Sequence, residues 1–195
     1  LIEENVQIKW HTEIRLEKKI SRDFVELVEK AGCRLLFFGF ESANNRVLSL
    51  MAKGVTREDI INCLACFTGK RIWIHFMYFL GFPTETEVDA KETLDFLTEH
   101  GAGITSIGGA SFTLNEGSPV SRSPELYGDL KLTPPGHDLA IDYNYQISVG
   151  LKQNEGQKLI DERVKTDSNF RKLISNHPMA RNHILLLDRE RWVDD

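Results

Sequence analysis

Apolar residues recur along this chain in two textures. Four β-favouring runs, residues 6–16, 34–40, 72–80 and 104–114, return at about the ~30-residue spacing of a βα unit. Between them the apolar positions follow a helical period. Ser21 is placed to cap a first helix, with Phe24, Leu27, Val28 and Ala31 on one face and Gly32 as its stop. Thr56 caps a second, whose stripe is Ile60, Ile61, Leu64 and Phe67, with Gly69 following. Thr84 and Glu87 have capping-box spacing for a third, where Ala90, Leu94 and Leu97 face inward and Gly101 ends the helix. Strands separated by helices must run parallel, with right-handed crossovers. The stretches Leu35-Leu36-Phe37-Phe38 and Phe76-Met77-Tyr78-Phe79-Leu80 lack polar alternation and read as buried on both faces.

After Leu114 the texture changes. Gly117, Pro119, Pro124, Pro134, Pro135 and Gly136 mark a long irregular connection. From about Leu139 the chain reads as polar and mainly helical, closing on an apolar patch at residues 184–187 with the character of a short strand. The predicted division is an α/β part over residues 1–115 and an extension over 116–195.

Composition narrows the class. A chain of 195 residues, 41% hydrophobic and 27% charged, can bury about 70% of its unfolded surface without staples. Three cysteines do not make a disulfide framework and fit a reducing compartment, the cytoplasm. Apolar runs are too short for a membrane span. A net charge of −5 without a basic block makes nucleic acid an unlikely partner. The opening Leu1-Ile2-Glu3-Glu4 has neither Met nor a signal peptide, and reads as a processed chain or a piece of a longer one.

In parallel α/β arrays ligands bind at the carboxyl ends of the strands. There the sequence sets Glu13 and Arg15, then Gly39-Phe40-Glu41-Ser42, then Gly81-Phe82-Pro83-Thr84-Glu85-Thr86. Glu13 and Arg15 share a parity and so a face. Glu13, Glu41 and Glu85 on one rim, beside Arg15 and Lys53, suit a zwitterion: carboxylates for an ammonium, cations for a carboxylate. An ordinary ion-pair network on a barrel rim explains the same residues.

The segments Trp10 to Leu16, Ala31-Gly32-Cys33, Phe38-Gly39-Phe40-Glu41-Ser42, Arg46-Val47-Leu48, Met51-Ala52-Lys53-Gly54 and Gly81 to Thr86 resemble, in order and spacing, the radical S-adenosylmethionine (SAM) superfamily. The likeness is nearest to the group often preceded by a cobalamin-binding domain. It covers roughly the first two-thirds of the chain. It implies strands three to six of a partial (β/α)6 TIM-type barrel, with SAM and a 4Fe-4S cluster in the full-length parent, a reductant for that cluster, possible cobalamin use, and an unknown substrate. The family's Cys-x3-Cys-x2-Cys motif is absent here, so this chain alone would not hold the cluster. Its ligands would belong to a missing N-terminal part of the barrel. The resemblance also assigns residues. Glu13 matches an acid at the SAM amino group, and Glu41 with Ser42 the polar end of the next strand. Lys53 matches a base for the SAM carboxylate. Phe79, Gly81 and Phe82 match the segment that passes the adenine, and Arg15 joins the same site. Met77 departs from the pattern, standing where some members carry an acid facing the ribose. The alternatives are a non-catalytic interaction module derived from such a barrel, and a cluster-free barrel enzyme using Glu41 and Lys53 as an acid/base pair.

Other features have plain explanations. Cys63-Leu64-Ala65-Cys66 lies within a helix and lacks the second pair a zinc site requires. Cys33, His75 and His11 read as core residues, and His137, His177 and His183 lack ligand spacing. If two strands are missing, an edge and apolar surface are left uncovered, and the isolated chain is expected to self-associate.

Overall fold

The computed structural model describes residues 1–134, 136 and 141–176. The apolar patch at 184–187 and His137, His177 and His183 lie outside the described residues.

Four parallel strands form one sheet in sequential order: β1 (Trp10–Arg15), β2 (Cys33–Glu41), β3 (Trp73–Leu80) and β4 (Ser106–Ser111). The crossovers carry α1 (Arg22–Lys30), then α2 (Asn45–Leu50) with α3 (Arg57–Cys66), then α4 (Glu87–Glu99). Sequential order with parallel neighbours is how a barrel is wound. Period-two alternation divides the sheet into two faces. Leu36, Phe38, Phe40, Ile74, Phe76, Tyr78, Leu80 and Ile107 face the helices and form the main core with Val25, Leu48, Ile60, Leu64, Leu94 and Leu97. Its centre is aromatic: Phe40 stacks between Phe76 and Phe96 at centroid distances of 4.8 and 5.4 Å. The opposite, inner face carries Leu35, Phe37 and Trp73 as a separate apolar cluster, with Met77 against it.

The helix starts follow local chemistry. Ser21 accepts from the Phe24 amide, Asn44 from Val47, and Thr56 forms a full capping box with Asp59. Gly32, at φ +93°, ends α1 in a conformation and a space that only glycine fits, since a Cβ there would lie 1.9 Å from the Ile8 carbonyl oxygen.

Several expectations are corrected. The first strand begins at Trp10 instead of Val6, and Val6 and Ile8 are exposed. The fourth run breaks after Ser111, and Leu114–Asn115 pairs elsewhere as β5. The box opening α4 is Thr86 with Asp89, and Thr84 lies upstream in the preceding loop. Phe24 and Leu27 are not on the buried stripe of α1, which buries Val25 instead.

The described part of the extension combines the expected helices with strands that were not expected. It contains a small antiparallel sheet, β5 (Leu114–Asn115), β7 (Asp142–Gln146) and β6 (Lys131–Thr133), in the order β5-β7-β6. A short α5 (Pro119–Arg122) lies within it, and α6 (Glu155–Thr166) and α7 (Ser168–Ser175) follow. Strands were hidden in the sequence because their polar partners, Asp142, Asn144 and Gln146, sit on the exposed side. Buried Ile160, Phe170 and Leu173 bring α6 and α7 onto the helix-side core. These two helices therefore cover the outer face of the sheet.

Candidate functional site

The strand register sets the inner face in layers. Glu13, Phe37, His75 and Ser106 are cross-strand neighbours, and the next layer toward the carboxyl ends is Arg15, Gly39, Met77 and Gly108. Two of those four positions are glycine, so β2 and β4 contribute no side chain to that layer. Arg15 Nη2 spans it and donates to the carbonyls of Ala52 and Lys53 at 3.1 and 2.8 Å. This ties β1 to the turn after α2.

Above the layer, Lys53 Nζ donates to Glu41 Oε1 at 2.8 Å. Glu41 ends β2 at φ +63°, where the ladder to β3 slips by one residue. A non-glycine residue there is strained by roughly 1–3 kcal/mol and persists because the surroundings fix it. The twist keeps Glu41 over the inner face and turns the next residue out. A Cβ at Gly39 would lie 2.9 Å from Glu41 Oε1 and 3.8 Å from Lys53 Nζ, so glycine makes the cradle for this pair. Two clefts of about 290 and 250 Å³ flank Arg15 at the end of β1, one reaching Ile14, Ile20 and Phe24, the other Lys53 and Gly54.

Glu13, Arg15, Glu41 and Lys53 therefore share one face and its carboxyl-end rim. Phe79 joins them from β3, half-buried, with Phe112 at 5.4 Å and Phe82 at 6.3 Å. Phe82 is buried among Phe112, Tyr127 and Tyr145. Two expected rim residues are elsewhere. Ser42 is fully buried on the other side, hydrogen-bonded to Thr93 Oγ1 at 3.0 Å and to the Asn44 amide. The reversal at Glu41 rotates it toward α4. Glu85 is also fully buried, because its carboxylate turns back to accept from the Gly81 and Phe82 amides. Burial pushes its pKa up to about 7 against those two hydrogen bonds.

Deeper on the same face, Ser106 Oγ accepts from Trp73 Nε1 at 2.7 Å and bonds His75 Nδ1 at 2.8 Å. Sequence reasoning placed His75 in the core and missed this chain, since Trp73 and Ser106 meet only through strand pairing. It also missed Arg46, Asp89 and Tyr145 around the Gly81 loop. The spacing Thr86-x-x-Asp89 was the available signal for Asp89.

The cysteines do not fit an iron-sulfur cluster. Burial pushes the Cys33 thiol up to about 11 and Cys63 up to about 12, which keeps both protonated. Both pack in the helix-side core, and no group of three His, Cys, Asp or Glu side chains with metal-binding geometry occurs among the described residues.

No family model matches the chain. It is 32% identical over 139 residues, 69% of its length, to a ribosomal protein uS12 methylthiotransferase RimO of Pelotomaculum thermopropionicum, of which it spans 31%. An uncharacterised methyltransferase of Pyrococcus horikoshii is 28% identical over 122 residues, covering 62% of this chain and 25% of the relative. The fold matches the radical SAM methyltransferase TsrM of Kitasatospora setae, solved with cobalamin and a 4Fe-4S cluster, at a TM-score of 0.51 and 18% identity over 67% of this chain and 27% of that one. It also matches Elp3 of Methanocaldococcus infernus at a TM-score of 0.51 over 60% of this chain. The four-stranded parallel sheet and its helices thus match part of the barrels of radical SAM proteins. Over that part of its length the chain is related to the radical SAM superfamily, including its methyl- and methylthiotransferases. It spans a quarter to a third of the curated relatives named here.

Proposed function

We propose that this chain supplies the SAM-facing carboxyl-end wall of a radical SAM barrel enzyme, with the cluster ligands coming from outside the described residues. The observation that carries this is the Glu41–Lys53 pair, cradled by Gly39 on the face shared with Glu13, Arg15 and Phe79. Opposite charges a few ångströms apart, beside an aromatic surface, match an amino acid joined to a nucleoside. Lys53 and Arg15 would hold the SAM carboxylate, and Glu41 and Glu13 its ammonium. Phe79 and the Gly81–Phe82 backbone would meet the adenine.

SAM together with a 4Fe-4S cluster supplies a reductively generated radical, which the full protein would direct at a substrate C–H position. The residues of this chain bind, orient and exclude water. Relatives named as methyl- and methylthiotransferases support methyl or methylthio transfer as the reaction class. The cobalamin bound in TsrM supports cobalamin use in such a transfer.

The test is SAM binding by the longest natural form of the protein, prepared anaerobically. Lys53→Ala should weaken binding about tenfold or more, as loss of a charge-assisted contact does. Wild-type affinity in Lys53→Ala and in Glu41→Gln alike would remove the basis for this site.

A further inference from the structure

We propose that the segment from Tyr145 to Leu151 is a positioning strap that fixes the Gly81–Glu85 loop, so that the extension sets the shape of the ligand wall built by β3. The role assigned to that wall rests on the SAM reading; the strap itself rests on geometry.

One peptide unit is gripped at both ends. The Gly81 carbonyl accepts from Tyr145 Oη at 3.2 Å, and the N–H of the same peptide, on Phe82, donates to Glu85 Oε2 at 3.1 Å. The loop then closes on itself, with the Glu85 amide donating to the Phe82 carbonyl at 2.8 Å. Its far end is caught by the strap again, where the Leu151 amide donates to the Glu85 carbonyl at 2.7 Å. Between these bonds, Gly150 lies flat on the loop backbone. A Cβ there would sit 2.7 Å from the Glu85 carbonyl oxygen and 2.8 Å from the Thr84 carbonyl carbon.

The loop needs such restraint. Thr84 has φ +71°, an outlying conformation for a β-branched residue. Strained backbone of this kind survives only when its surroundings over-determine it. Arg46 supplies one restraint, through the Thr84 carbonyl at 2.8 Å and its hydroxyl at 3.2 Å. The strap supplies the other from the opposite side. The Glu85 carboxylate lies within electrostatic reach of Asp89, Arg46 and Tyr145. Its second oxygen, Oε1, has no hydrogen-bond partner among the described residues. Tyr145 and Gly150 are therefore positioning residues, acting on a ligand only through the Gly81–Phe82 backbone.

The experiment measures amide hydrogen exchange at Gly81 and Phe82 against Phe76 in the same chain. Wild type is compared with Tyr145→Phe, Gly150→Ala and Arg163→Ala. Arg163 of α6 joins the extension to Asp95 of α4 on the outer face and pairs with Asp167 within the extension, and it serves as the control for simple loosening. SAM affinity is measured on the longest natural form carrying each change. Exchange at Gly81 and Phe82 should rise about three- to tenfold in the first two variants, the loss of roughly one hydrogen bond, and stay at the wild-type value in Arg163→Ala. SAM affinity should fall at least about threefold in the same two variants only. The milder Tyr145→Phe change keeps the test open if Gly150→Ala does not fold. Unchanged exchange at both amides in Tyr145→Phe overturns the strap. Faster exchange with unaltered SAM affinity overturns its positioning role and leaves packing alone. If wild type binds no SAM while the amides respond as stated, the strap stands and the SAM reading falls.

Discussion

Glu85 is the residue whose chemistry departs furthest from its sequence appearance. Its pKa rises from the ordinary 4.5 to about 7 because the carboxylate is fully buried. The folded chain therefore holds this proton more tightly than the unfolded chain. Its contribution to stability is complete below pH 4.5 and is lost as pH rises through 7, a difference on the order of 3 kcal/mol. Chemical denaturation between those limits should show stability falling with pH, and Glu85→Gln should flatten that slope while keeping a carbonyl for the two amides. Gly39 is the second such residue. Gly39→Ala puts a methyl 2.9 Å from Glu41 Oε1, so SAM affinity should drop about tenfold or more with little change in melting temperature. Equal loss of both would mean that Gly39 serves packing instead of the rim. The sequence reading expected Glu13, Arg15, Glu41 and Lys53 at the rim, where the fold brings them, and the family resemblance added Phe79. It misassigned Ser42 and Glu85, because a single reversed φ at Glu41 and a side chain folding back on its own loop leave no trace in spacing.

At the scale of elements, local chemistry was largely legible. Ser21 and Thr56 cap where their spacing places them, and Gly32 ends its helix. The third box shifts by two residues, from Thr84 to Thr86, since both threonines are followed three positions later by an acid. Thr86→Ala should cost about 1 kcal/mol in unfolding free energy, the usual value of an N-cap. Thr84→Ala, which removes only an Arg46 contact from a strained site, should cost less. The extension's strands escaped notice because they are short and half polar. Its helices are held by buried anchors: Phe170, fully buried and edge-on to Tyr78 at 6.4 Å, should cost about 3–5 kcal/mol when truncated to alanine. A smaller loss in thermal or urea unfolding would mean that α7 is only loosely joined to the core.

Across the whole molecule, the sheet has β1 at one side and β4 at the other, and one group of exposed apolar residues lies at the β1 side. Val6 and Ile8 lead into the strand, and Phe24 and Leu27 lie on α1 beside it. The isolated chain should self-associate as concentration rises in sedimentation velocity, and Leu27→Lys with Phe24→Glu should reduce this. Monomeric behaviour of the wild type at high concentration would show that this surface is tolerated. What the sequence determined by itself was carried by short-range periodicity: the parallel βα order, the helix starts at Ser21 and Thr56, and the parity that sets Glu13 with Arg15. What only the tertiary structure decided was everything fixed by residues distant in the chain. Ser106 reached His75 through strand register, Lys53 reached Glu41 over the glycine at 39, and Tyr145 with Leu151 closed on the Gly81 loop. Side-chain period is a property of neighbouring backbone angles, whereas these contacts depend on where the packed core brings separate segments to rest.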